Sequence, residues 1–164
     1  MKKVIWQSDH KIESLEAWVQ ELNEEARLQF LKAGTHVELL LVFADTGPTT
    51  MLPVYRISHD EAEGRLKDLV FKQHAYAVAH IVSCVVNMPL DLNDNIHMRV
   101  PDAKMDADKA GEGSVAEILV VHAHSRDHSN ITFFNPVVRG KDRVMLMDSI
   151  RLDVPFEGRF EVDL

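Results

Sequence analysis

The chain predicts an α+β domain: two amphipathic helices packed on one face of a mixed, mainly antiparallel sheet of five to seven strands that ends in a β-meander. Three observations carry this. Apolar residues recur at steps of three and four through residues 12–31. β-Branched apolar residues crowd residues 75–87. Short apolar runs separated by polar turns follow residue 114. At 164 residues, 46% hydrophobic and 27% charged, the chain has the size of a single domain, residues 1–164. A chain of this length buries roughly 70% of its unfolded surface and needs no disulfide or structural metal to fold.

The first helix is read from Ile12, Leu15, Trp18, Val19, Leu22, Ala26 and Phe30, which fall on one face. Glu13, Glu16 and Glu21 precede Arg27 and Lys32, the charge order that suits the helix dipole, and Gly34 supplies a stop. Residues 36–43 then predict a strand whose far end is apolar on both faces, hence covered on both sides. Residues 45–48 read as a turn, and residues 51–57 as a short strand that Pro53 pushes to a sheet edge or a bulge. Ser58 and Glu61 match a capping box and open a second helix over residues 59–73 that buries Ala62, Leu66, Leu69 and Val70. Residues 75–87 predict a long buried strand.

Residues 88–114, rich in Pro, Asp, Asn, Gly and Lys, read as a polar loop too long for a plain connection. The meander follows as strands over residues 115–124, 131–139 and 143–149, with a short last strand around Phe160 and Val162.

Lys and Arg number 18 against 26 Asp and Glu, a formal net charge of -8 that repels a phosphate backbone. The best basic stripe, Arg139, Lys141, Arg143 and Arg151, is interrupted by Asp142, Asp148 and Asp153. No apolar run reaches the 18 or so residues of a membrane span. The apolar start of the chain turns polar at Gln7, too soon for a signal peptide. The single cysteine, Cys84, fits a reducing compartment and is equally compatible with export, so the cytoplasm is expected chiefly from that short apolar start.

The sharpest chemical motif is Val121-His122-Ala123-His124-Ser125-Arg126-Asp127-His128. Two histidines two apart on a strand share a face, and a third at the turn completes a three-imidazole site for zinc or another divalent transition metal, with Asp127 as fourth ligand or orienting group. The run resembles the H-x-H-x-D-H motif of metallo-β-lactamase-fold hydrolases, which also follows an apolar strand; that resemblance implies metal-dependent hydrolysis. It covers about a dozen residues and departs from the pattern in three respects. One extra residue precedes Asp127-His128, Arg126 brings a positive charge among the ligands, and no histidine follows His128. The same residues also read as a hairpin turn flanked by histidines on a partly exposed strand.

Other motifs are thinner. Asp91, Asn93 and Asn95 alternate like the first half of a calcium loop, with Asp106 and Asp108 as helpers, but Ile96 stands where glycine is needed and Asp102 where a bidentate glutamate is needed. Cys84, mid-strand, reads as a small buried hydrophobe. His59 and His80 become catalytic only with partners brought from elsewhere in the chain, and a lid of residues 88–114 over His80 or His97 is a further arrangement. No nucleophile elbow or phosphate-binding glycine loop is present. The expectation is therefore a non-catalytic interaction or regulatory protein contacting protein or small ligand, with homodimerisation through the sheet or the first helix. Its rival is a small metal-dependent hydrolase built on His122, His124 and His128.

Overall fold

The computed structural model describes residues 14–44, 49–87, 115–152, 160 and 162–164. Among the described residues, two helices and seven strands follow in the order helix, two strands, helix, five strands. Helix α1 spans Leu15–Ala33. Ser14 caps it by accepting from the Ala17 amide at 3.1 Å, and Gly34 closes it in the left-handed conformation at φ 76, donating to the Phe30 carbonyl at 2.7 Å. The expected contribution of Ile12 and Glu13 lies outside the described residues.

Strands β1 (Leu39–Ala44) and β2 (Thr50–Pro53) precede helix α2, His59–Gln73. Ser58 caps α2 through the Glu61 amide at 3.1 Å, the contact the capping-box spacing predicts. Strands β3 (Ala75–Asn87), β4 (Val115–Ser125), β5 (Asn130–Arg139), β6 (Val144–Leu146) and β7 (Ile150–Leu152) complete the set. The sheet order is β2-β1-β3-β4-β5-β6, with β7 also on β5, and every described pairing is antiparallel. The α+β class and the C-terminal meander follow the sequence, and β2, ending at Pro53, occupies a sheet edge.

The helices lie on opposite faces of the sheet, not on one. Leu39, Leu41, Ala79, Ile81, Leu119 and Val121 pack against Trp18, Leu22 and Phe30 of α1. Their alternate neighbours Leu40, Val42 and Val78 pack against Ala62 and Leu66 of α2. Period-two alternation makes these two sets opposite faces of the same strands, which is why β1 is apolar on both sides. Further along the α2 face, Val82, Cys84, Ile118, Val120 and Phe134 form a third cluster.

A second difference concerns residues 143–149. They form no single strand; β6 pairs residues 137–139 of β5, β7 pairs residues 132–134, and the chain between them turns away. The Met147 amide donates to the Pro136 carbonyl at 2.9 Å. Arg27 of α1 donates to the Met147 carbonyl at 2.7 Å and to Asn135 Oδ1 at 2.8 Å. That break lets Ser149 join a buried network in which Asn135 donates to Asn23 Oδ1 at 2.8 Å and to the Leu119 carbonyl at 3.1 Å. Phe160 and Val162 are not in strand conformation.

Candidate functional site

Strand register places a polar row in the apolar α2 face. His80 of β3 lies directly opposite His122 of β4, and His122 opposite Thr132 of β5. His124, two residues on, keeps to the same face, and Glu38 reaches it from just before β1. His80 and His122 are only 6% and 7% exposed, so each needs an internal partner. His80 Nε2 lies 2.8 Å from Glu38 Oε1, and His122 Nδ1 lies 2.7 Å from Thr132 Oγ1. His124 Nε2 lies 3.2 Å from the Val162 carbonyl, which only accepts, so that nitrogen carries the proton. The His122 and His124 rings stack at 6.1 Å.

Three histidines from three elements thus hold Phe160 and Val162. His59 of α2 stacks on Phe160 at 4.8 Å, His80 meets its ring edge-on at 5.3 Å, and His124 holds Val162. Electrostatics keeps the centre of the row uncharged. Burial, helped by the neighbouring His124 and His80, pushes His122 down to about 3. Burial also lowers His124, against the opposing effect of its bond to Val162. Nearby Cys84 is pushed up to about 12 by burial, with Glu117 adding to the effect.

Of the four residues expected to share a metal, His122 and His124 stand together on β4, while Asp127 and His128 lie exposed in the β4–β5 turn. Asp127 accepts from Ser125 Oγ, from the Ser129 amide at 3.3 Å and from the Tyr76 hydroxyl at 3.4 Å. These bonds hold its carboxyl below the usual range, the Ser125 hydroxyl contributing most. Tyr76 belongs to the α1 side: a register shift where β3 meets the end of β1 turns its ring toward Phe43. His128 sits at φ 65 with its amide donating to the Ser125 carbonyl at 3.0 Å. Among the described residues, no three His, Cys, Asp or Glu side chains are grouped to hold a metal ion.

Arg126 is engaged by main-chain oxygens. Its guanidinium donates to the His74 and Ala75 carbonyls at 2.9 and 2.7 Å, tying the turn to the α2–β3 junction. The interrupted basic stripe is engaged at both ends. Arg139 forms a forked pair with Glu117, both contacts at 2.6 Å, and Arg151 pairs with Glu16. The calcium-like residues Asp91, Asn93, Asn95, Asp106 and Asp108, the loop 88–114 and His97 lie outside the described residues.

Glu38, Thr132 and Phe160 carried no signal as site residues in the sequence. The one available hint was that His80 and His122 both occupy apolar strands, where an imidazole requires a partner. No protein-family model, curated protein or solved structure matches the chain.

Proposed function

We propose that this chain is a non-catalytic cytoplasmic protein of interaction or regulatory type, acting by contact with a small ligand or another protein. The histidine row serves it as an internal anchor for Phe160 and Val162. The observation that supports this most is the state of His122. A general acid or base works with a pKa near the operating pH, whereas His122 is held neutral down to about 3 and spends Nδ1 on Thr132. Cys84, with its thiol near 12, is no nucleophile at neutral pH. These two groups of the α2 face therefore serve its packing rather than proton transfer or nucleophilic attack.

The test is the metal content of untagged protein, beside His124→Ala and the His122→Ala/His124→Ala double variant. The expected result is far less than one zinc, iron or manganese per chain, and no rise in Tm when these ions are added. About one metal per chain, lost in both variants, overturns the proposal in favour of a metal-dependent hydrolase using His122, His124, Asp127 and His128.

A further inference from the structure

The α2 face carries a seat that the chain itself fills. Phe160 is buried there, its ring stacked on His59 of α2 at 4.8 Å and edge-on to His80 of β3 at 5.3 Å. Further along, the Val162 carbonyl accepts from His124 of β4 at 3.2 Å. Phe160, Val162 and Leu164 all pack on the cluster that holds Leu40, Ala62 and Leu66, while Asp163 is exposed. Apolar side chains at alternate positions, with Glu161 and Asp163 between them in sequence, are the pattern by which an extended peptide is recognised, every second side chain entering a pocket. Phe160 and residues 162–164 lie outside helix and strand, and the contacts that seat them come from side chains on three elements fixed in other ways. Helix α2 is held by its own cap and by Ala62 and Leu66, and β3 and β4 by their ladder. A ring stack and a carbonyl acceptor can be supplied equally well by another molecule, and a buried aromatic anchor is the usual energetic centre of an interface.

We propose that this seat is the docking site for an extended segment of a protein partner, and that residues 160–164 are its intramolecular occupant, shielding it until the partner displaces them. The inference rests on the reading of the chain as an interaction protein and supplies that reading with a kind of partner. The occupant in place defines the chemistry. An aromatic residue fits between the imidazoles of His59 and His80, and two aliphatic residues at alternate positions after it fit the cluster beside α2. The carbonyl of the middle one meets the proton that His124 carries on Nε2. A tethered occupant lowers the apparent affinity for a partner by the fraction of time the seat is open, so weakening the occupant strengthens binding of the partner.

The probe is the acetylated peptide of residues 160–164, titrated into the full chain and followed by amide NMR. Beside wild type stands a Phe160→Ser/Val162→Ser variant of the full chain, whose own segment is weakened and whose fold is checked by its Tm. Saturable binding is expected, at least about tenfold tighter in the variant than in wild type, the factor for a seat closed about nine-tenths of the time. Adding His59→Ala to the variant should weaken binding again, and a peptide with serine in place of its phenylalanine should not bind. A second readout needs wild type alone: excess peptide should speed amide exchange at Val162 and Leu164 while Ile81 and Val121 stay protected. Absence of saturable binding, equal affinity in wild type and variant, or binding of the serine peptide overturns the inference. Binding accompanied by wild-type dimers at micromolar concentration in sedimentation overturns it in favour of segment exchange between copies of this chain. The metal assay separates the two claims: metal-free protein that ignores the peptide rejects the docking site alone, and stoichiometric metal rejects the interaction-protein reading itself.

Discussion

His122 ties protonation to stability. Its folded pKa of about 3 lies below the 6.5 of a free imidazole, so the native state binds fewer protons than the unfolded chain between these values. The depression has the opposite sign to that of a salt-bridged histidine: stability is full above pH 6.5 and is lost as pH falls toward 3. His124, also lowered, acts in the same direction. Urea unfolding at pH 7 and pH 4 should show a loss of about 3 kcal/mol from His122 alone, most of which disappears in His122→Gln. Asn135 is the opposite kind of residue, neutral at every pH and fully enclosed. Replacing it with Leu takes the Asn135 donor from Asn23 Oδ1 and from the Leu119 carbonyl and removes a partner of Arg27, which should cost about 3 kcal/mol in the same assay. Cys84, buried with its thiol near 12, should resist a thiol reagent such as dithionitrobenzoate in native protein and react stoichiometrically in denaturant.

At the level of elements, the helix ends carry local stability that can be measured one position at a time. Gly34→Ala forces a Cβ into the left-handed region at φ 76 and should lower stability by about 1 kcal/mol although nothing crowds the site. Ser58→Ala removes the acceptor for the Glu61 amide and should cost a similar amount, about 1 kcal/mol, by thermal unfolding. The same locality explains what the sequence disclosed. The capping box fixed the start of α2, and the branched run of residues 75–87 fixed β3 to the residue, because each signal lies within the element it defines. The division of residues 143–149 did not show, since it depends on Arg27, Asn135 and Pro136 meeting a segment distant in sequence. The site divided likewise. Period-two spacing was enough to put His122 and His124 on one face, whereas His80 opposite His122 depends on a β3–β4 register set across residues 88–114. The bulge that carries Tyr76 to the α1 side, and with it a partner for Asp127, also had no sequence mark.

For the whole molecule, the decisive feature is that α1 and α2 sandwich the sheet. The two faces of β1 and β3 are both closed, while the flanks are left to β2, four residues ending in Pro53, and β6, three residues beside Lys141 and Arg143. Short edges, an edge proline and nearby cations are the devices that stop one sheet from adding to another, and the net charge of -8 acts in the same sense. The layering also orders the molecule in time. A backbone amide trades its hydrogen for deuterium only when its bond opens to water, and the free energy of opening rises toward the most enclosed strands. Amides of Leu40, Leu41, Ala79 and Ile81, closed in by both helices, should therefore be the last to exchange, at the rate of global unfolding. Those of β6 should exchange soonest by local fraying, so that mass spectrometry of timed peptides would show label advancing inward from the sheet's two margins.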